Sequence, residues 1–198
     1  MSVSLHLHAV PEDLRLKAPV SPVPRTTLSA PAIDLMTDFR RSPIVTVPDA
    51  LQIDRALEIM MLAGVRFCFV VDAGGRLRGN VTSYDIQGEK PLRYCQAALG
   101  QGASLSRGDV RVRDIMEPLD AWQIVTFEEA QRATVANVIE TFKASGRRHL
   151  VVVEELSSGP TVRGLFSATR FEADTGLQVD VYSVPRTFAE IEQALEHP

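Results

Sequence analysis

Two stretches of this chain carry the same short motifs in the same order, and this internal repetition constrains the fold more than any other feature. Asp34-Leu35-Met36 returns as Asp114-Ile115-Met116, and Ile44-Val45-Thr46-Val47 returns at the same offset as Ile124-Val125-Thr126-Phe127. After these motifs, each copy is predicted to form a helix, an apolar strand, a second strand and a second helix. We therefore expect two similar units that bury their apolar faces against each other.

The spacing of apolar residues predicts the first helix of each copy. In the first copy they recur at steps of three and four, as in an amphipathic helix: Ile53, Ala56, Leu57, Met60 and Met61. Asp49 is the predicted N-cap there, and Thr126 with Glu129 forms a predicted capping box in the second copy. Gly64 and Gly146 are expected to end the two helices, because glycine tolerates the positive φ of a helix terminus.

The same pattern sets the expected domain boundaries. Proline-rich residues 1–30 form an arm, in which an extended strand could pack on the body. The first repeat spans 31–88, a linker with a short helix reaching Leu99 spans 89–109, and the second repeat spans 110–175. The tail, 176–198, is predicted to form a strand at Val179–Val181 and a helix over Thr187–Leu195.

Composition excludes several classes of function. The formal net charge of −4 argues against nucleic acid as a partner, which calls for a concentrated basic face. Membrane insertion is not expected, since no stretch approaches the roughly 18 apolar residues of a spanning helix. The two cysteines are expected to be reduced thiols in a cytoplasmic protein. The sequence carries no predicted metal site and no catalytic residue set, so we do not expect an enzyme or a required cofactor.

The ordered motifs resemble the cystathionine-β-synthase (CBS) domain family, whose repeats occur in pairs. The resemblance covers roughly residues 32–88 and 110–175. It rests on these segments of the first repeat: Asp34-Leu35-Met36-Thr37, Ile44-Val45-Thr46-Val47-Pro48, Val70-Val71-Asp72 through Gly75-Arg76-Leu77, and Gly79-Asn80-Val81-Thr82-Ser83-Tyr84-Asp85. It implies an α+β fold of tandem CBS repeats with pseudo-twofold symmetry, in which small β-sheets pack together with the helices outside. It also implies a homodimer.

The resemblance further implies an adenosine-ligand site between the repeats. In this family a glycine, a Thr or Ser three residues on and an Asp three residues further mark the cleft, and here they are Gly79, Thr82 and Asp85. Asp85 is expected to accept the ribose hydroxyls. Basic residues are expected to reach the phosphates: Arg66, Arg147, Arg148 and His149. The backbone near Ile44, Val45 and Thr46 is expected to contact adenine. Candidate ligands are AMP, ADP, ATP, S-adenosylmethionine and NAD(H).

The second repeat departs from this pattern. Gly164 and Ser167 are kept, but Arg170 stands where the Asp would be, and a guanidinium cannot accept hydrogen bonds from ribose hydroxyls. A degenerate second cleft is therefore expected at Ser167 and Arg170, either empty or holding an anion.

Three interpretations of function remain open. The first is a regulatory module that binds an adenosine compound and signals in trans to an unidentified protein partner. The second is a scaffold that dimerises and binds a protein without any small ligand, and the third is an unrecognised enzyme. At the residue level, Asp85 could instead be a helix first-turn residue that complements the helix dipole. Arg147, Arg148 and His149 could be a solvated strand entrance.

Overall fold

The computed structural model of the protein describes residues 25–181, which form two four-stranded sheets with helices packed against them. The strands are β1 (Thr37–Asp38), β2 (Thr46–Pro48), β3 (Phe67–Val71), β4 (Leu77–Thr82), β5 (Glu117–Pro118), β6 (Ile124–Thr126), β7 (His149–Leu156) and β8 (Gly159–Ser167). The α-helices are α1 (Ile53–Ala63), α2 (Ser83–Gln87), α3 (Lys90–Gly100), α4 (Val112–Ile115), α5 (Phe127–Arg132), α6 (Val135–Ser145) and α7 (Ala168–Thr175). Short 3₁₀ helices span Ala32–Leu35, Arg107–Asp109 and Leu119–Ala121.

The two sheets have the same topology. One has the strand order β2-β3-β4-β5 and the other β6-β7-β8-β1, read from the equivalent edge. In each sheet a short strand pairs in parallel with the next strand, which then forms an antiparallel hairpin with the third. The repetition seen in the sequence is therefore a repetition of structure, and the predicted α+β fold of paired repeats is confirmed.

The repeats exchange their leading segments. Strand β1 is the leading strand of the first repeat but pairs with β8 of the second, where Asp38 lies opposite Gly164. Strand β5 is the leading strand of the second repeat but pairs with β4 of the first, where Pro118 lies opposite Gly79. Each four-stranded sheet is thus completed by the other repeat.

Three apolar clusters hold these layers together. One lies within the first repeat and includes Val47, Ile53 and Val81, together with Val110 and Val112 from the segment that leads into the second repeat. A second lies within the second repeat and receives the 3₁₀ helix Ala32–Leu35 of the first. The third lies between the sheets and is formed by Phe67, Phe69, Val151 and Leu165. The contact between sheets places β3 and β7 at the centre of the molecule.

The predicted helix ends agree with the structure more closely than the predicted helix starts. Gly64 and Gly146 adopt φ values of 65° and 66° and end α1 and α6, as expected. Asp49 does not cap α1, since this helix starts at Ile53 and its N-cap position is Gln52. The Thr126 and Glu129 capping box is present, but the helix it starts is only α5. A second capping box, between Thr134 and Asn137, starts α6 as a separate helix.

The linker helix is present as α3, but the predicted strand at Val179–Val181 is not formed. Val179 and Val181 are instead buried in the core of the second repeat. The backbone N–H of Val179 donates to Oε1 of Glu172 at 3.2 Å, so a side chain takes the place of a neighbouring strand. The predicted helix over Thr187–Leu195 and most of the predicted arm lie outside the described residues.

Within the part of the chain that the structure describes, none of the helices combines the length and the apolar character needed to cross a membrane.

Candidate functional site

Two clefts open where the repeats meet. The first, which we call the Asp85 cleft, has a volume of about 330 Å³ and is lined by residues of both repeats, including Thr82, Asp85, Lys90, Trp122, Arg147 and Arg148. The second, the Arg170 cleft, has a volume of about 480 Å³ and is lined by residues that include Phe39, Val45, Arg66, Ser167 and Arg170. Phe67 and His149 line both clefts, because β3 of one sheet and β7 of the other meet between the clefts.

Asp85 lies in the first turn of α2, where a capping box with Thr82 holds it. Its Oδ2 accepts hydrogen bonds from the backbone N–H of Thr82 at 2.8 Å and from the Thr82 hydroxyl at 2.7 Å. Its Oδ1 forms an ion pair with the Nζ of Lys90 at 2.7 Å. The first-turn position considered from the sequence is therefore correct, the capping box is an additional role, and the same carboxylate also lines the cleft. A carboxylate offers about four acceptor sites, which leaves room for a further donor at Oδ1.

Two arginines of the second repeat face Asp85 across the cleft. Arg147 forms an ion pair with Glu117 and donates to the backbone carbonyl of Ala121 at 3.1 Å. Arg148 pairs with Glu172 at 3.0 Å and lies over the ring of Tyr84, with its guanidinium carbon 5.6 Å from the ring centroid. Both side chains are largely buried, so the interpretation of this stretch as a solvated strand entrance does not hold for the arginines.

His149 lies between the two clefts. Its ring packs on Phe67 with the centroids 5.2 Å apart. Burial, together with the nearby charges of Arg148 and Arg66, lowers the pKa of this imidazole from 6.5 to about 4, although the charge of Asp85 acts in the opposite direction. His149 is therefore neutral at physiological pH, and it contributes a ring and a hydrogen-bonding nitrogen rather than a charge.

The residues predicted to form one site are divided between the two clefts. Thr82, Asp85, Arg147, Arg148 and His149 come together in the Asp85 cleft. Val45 and Arg66 lie instead in the Arg170 cleft, together with Ser167 and Arg170. Ile44 and Thr46 line neither cleft, and both are exposed. Since each cleft combines the final helix of one repeat with the leading segment of the other, Asp85 faces the segment before β6 rather than the one before β2.

Gly79 has a different role from the one predicted. It is absent from the lining of both clefts, and a Cβ added at this position would lie 2.1 Å from the backbone oxygen of Glu117. Gly164 is placed in the same way, with the backbone oxygen of Thr37 at 2.6 Å from such a Cβ. These glycines permit the close approach of the exchanged strands rather than that of a ligand.

Several residues of the Asp85 cleft were not predicted from the sequence. Lys90 belongs to the linker and reaches the cleft from α3, while Trp122 and Glu117 come from the leading segment of the second repeat. Glu117 also accepts from the side-chain amide of Asn80 at 3.1 Å, which joins the two repeats inside the cleft. Motif spacing carries no information about Trp122 and Glu117, because the exchange of segments brings them in, and Lys90 lies outside the repeated motifs.

Comparison with known proteins gives a family match and similar folds. The CBS domain model matches residues 32–89, which is the first repeat. A comparison with curated proteins finds no match. A conserved CBS domain protein of unknown function from Thermoplasma acidophilum has a similar fold, with a TM-score of 0.50 and 18% identity, over 83% of this chain and 74% of that one.

The plant protein CBSX2 is also among the similar structures. The CBS-pair protein CBSX2 from Arabidopsis thaliana gives a TM-score of 0.46 at 21% identity, over 72% of this chain and 92% of that one. The structure of CBSX2 in complex with AMP gives a TM-score of 0.47 at 20% identity, over 72% and 93%. Residues 32–89 match the CBS domain model, and the described chain has the fold of CBS domain structures, with a second repeat of the same topology as the first.

Proposed function

We propose that the protein is a regulatory module that binds an adenosine-containing ligand in the Asp85 cleft. The observation that carries the proposal is the meeting in one cleft of a ribose acceptor, Asp85, with the guanidinium groups of Arg147 and Arg148 from the opposite repeat. The carboxylate can accept hydrogen bonds from the ribose hydroxyls of a nucleotide, and the guanidinium groups can bind its phosphates. AMP, ADP, ATP, S-adenosylmethionine and NAD(H) remain the candidate ligands.

The charges of the cleft fit a nucleotide. Lys90, Arg147 and Arg148 supply three positive charges, and Asp85 and Glu117 supply two negative ones. The excess of positive charge favours an anionic ligand, since guanidinium groups bind phosphate oxygens in a bidentate manner. Trp122 adds an aromatic surface at the wall, and its ring lies 6.0 Å from that of Phe69. Aromatic surfaces of this kind stack well on a purine base.

Regulation would follow from the position of the cleft between repeats. A ligand that contacts Asp85 of the first repeat and Arg147 of the second binds best to the arrangement in which both are in reach. It therefore shifts the population of the protein toward that arrangement, to the extent of its differential affinity. We propose that this shift alters a surface offered to a protein partner, that the protein is a cytoplasmic homodimer and that it performs no chemistry itself.

Calorimetric titration tests the ligand assignment. Protein stripped of nucleotide is titrated with AMP, ATP, S-adenosylmethionine and NADH, and the tightest ligand is titrated again into Asp85→Ala. Because a hydrogen bond to a charged group contributes about 1.5–3 kcal/mol, we expect affinity to fall by about tenfold to hundredfold. The 2′-deoxy form of the ligand should bind the wild type more weakly than the parent ligand does. It should bind Asp85→Ala with the same affinity as the parent ligand.

Asp109→Ala is the matched control. Asp109 accepts from the backbone N–H and hydroxyl of Ser106 at 2.9 and 2.6 Å, in the same capping-box arrangement as Asp85, but outside both clefts. Its loss should leave affinity unchanged. Equal losses in both variants would assign the effect to a weakened cap rather than to the ligand, and no saturable binding by any compound would overturn the proposal.

One observation favours the scaffold as a second candidate function. The charged groups of the Asp85 cleft already have protein partners, since Asp85 pairs with Lys90, Arg147 with Glu117 and Arg148 with Glu172. Exposed Met61 and Leu62 on α1 offer apolar surface for a second copy. A scaffold should sediment as the same dimer with and without the compounds above, and should bind none of them.

A further inference from the structure

The Arg170 cleft differs from the Asp85 cleft in the chemistry of its walls. Its floor is apolar and is formed by residues of the cluster between the sheets, among them Phe39, Phe67, Phe69 and Leu165. Phe39 and Phe69 pack edge to face, with centroids 5.6 Å apart, and Phe67 packs on Phe69 in the same way at 5.0 Å. Such a surface takes up an aromatic or aliphatic body.

The charged groups of this cleft are all positive. Among the described residues that line it, Arg66 and Arg170 carry charge and none is acidic. Arg170 is about half exposed and lies 3.7 Å from Asp174, a loose contact within its own helix, α7. Arg66 donates to the Tyr84 hydroxyl at 3.0 Å and is also exposed. Both guanidinium groups therefore have donors left for an anion.

Polar groups that a nucleoside would need are replaced in this cleft. Arg170 stands where the other repeat has Asp85, so the acceptor for ribose hydroxyls is exchanged for a donor. Pro43 lies where the other repeat has Gln123, and proline has no backbone N–H to offer to a base. The hydroxyls of Thr37, Ser167 and Thr169 remain as neutral partners, and the Ser167 hydroxyl does not cap α7.

We propose that the Arg170 cleft binds a small amphipathic anion, a carboxylate or phosphate monoester attached to an apolar body, rather than a nucleoside. The apolar body packs on the aromatic floor, and the anionic group lies between Arg66 and Arg170. The volume of about 480 Å³ is within the usual range of small-molecule sites, roughly 300–1,000 Å³. This site is separate from the Asp85 cleft and does not depend on whether that cleft binds a nucleotide.

The test uses probes that separate charge from apolar contact. The intact chain is titrated by calorimetry with 1-naphthoate, with the neutral 1-naphthamide and with decanoate, which replaces the aromatic body by an aliphatic one. We expect saturable binding of at least one of the two carboxylates. If that carboxylate is 1-naphthoate, the amide should bind at least about tenfold more weakly, because a charge-assisted pair is lost. Binding of decanoate alone would support the proposal with an aliphatic ligand.

Substitutions place the probe in this cleft. Arg170→Ala should weaken binding of the preferred carboxylate about tenfold, and Arg170→Glu should abolish it by placing a like charge at the site. The matched control is Arg132→Ala, since Arg132 is an exposed helical arginine that pairs with Glu128 four residues away and lies outside both clefts. It should leave binding unchanged, and far-UV circular dichroism should show all three variants folded.

Four results would overturn the proposal. The first is equal affinity for naphthoate and naphthamide, and the second is carboxylate binding that does not respond to Arg170→Glu. The third is one-to-one displacement of the bound carboxylate by AMP that persists in Asp85→Ala. The fourth is no saturable binding of either carboxylate. Failure of nucleotide binding at the Asp85 cleft would be detected separately, because Asp85→Ala should not change the affinity for the carboxylate.

Discussion

At the scale of single residues, the central position belongs to His149, which borders both clefts. Its imidazole packs on Phe67, and its charged neighbours are Arg148, Arg66 and Asp85. Burial is the largest cause of its low pKa, and the two arginines add to it. A neutral imidazole at this point leaves the arginines as the groups that attract anions on either side.

The low pKa of His149 should make stability depend on pH. Between about pH 6.5 and pH 4 the unfolded chain protonates this imidazole while the folded protein does not, so the unfolded state binds more protons and stability falls as pH falls. From pH 7 to pH 5 we expect the wild type to lose about 1–2 kcal/mol more unfolding free energy than His149→Gln, with allowance for the partial exposure of the ring. Urea unfolding at both pH values measures this, and parallel losses would contradict it.

At the scale of elements, the exchanged strands β1 and β5 join the repeats most directly. Each has only two residues, yet each completes the sheet of the other repeat. Their approach requires the two glycines of the neighbouring strands, because a side chain at Gly79 or Gly164 would collide with backbone atoms. These glycines are therefore structural residues of the interface between repeats.

Gly79→Ala should destabilise the protein by roughly 1–3 kcal/mol, the usual cost of forcing an extra methyl group into a packed site. The added Cβ would lie 2.1 Å from the Glu117 carbonyl oxygen, so β5 must move. Gly100→Ala is the control, since nothing lies within 4 Å of a Cβ there and the residue ends α3. We expect that variant to be unchanged or slightly more stable. Equal unfolding free energies for both variants would show that β5 is not tightly packed.

At the scale of the whole molecule, we expect the repeats to unfold as one cooperative unit, because they share their cores. The first core contains Val110 and Val112 from the segment leading into the second repeat, and the second core contains Ala32 and Leu35 from the segment leading into the first. Neither core is complete without chain that belongs to the other half. Both clefts depend on the same contact between sheets and should form or disappear together.

Conservative core substitutions test this unity. Ile53→Val in the first core and Ile139→Val in the second should each lower unfolding free energy by about 1 kcal/mol. Each substitution should lower the midpoint of a single urea transition. Far-UV circular dichroism and the fluorescence of Trp122, the single tryptophan, should report the same transition. A separate transition for either half, shifted by one substitution only, would contradict a single unit.

The sequence by itself determined the elements that depend on local chemistry. The repeated motifs predicted two units of the same topology, glycines with positive φ ended α1 and α6, and the spacing of Thr82 and Asp85 placed both at the turn from β4 into α2. These features arise from hydrophobic periodicity and capping, which act over a few residues. Their prediction needed no knowledge of how the repeats meet.

Only the tertiary structure decided which residues share a cleft. Val45 was expected beside Asp85 but lies in the other cleft, Gly79 contacts β5 rather than a cleft, and Lys90 and Trp122 enter the Asp85 cleft unpredicted. The outcomes for Val45, Gly79 and Trp122 follow from the exchange of β1 and β5 between repeats, whereas Lys90 reaches the cleft from the start of α3, shortly after Asp85 in the chain. Strands of two residues have no periodicity to detect, and their partners lie far away in sequence, so pairing across the repeats is set by packing of the whole chain and not by any local pattern.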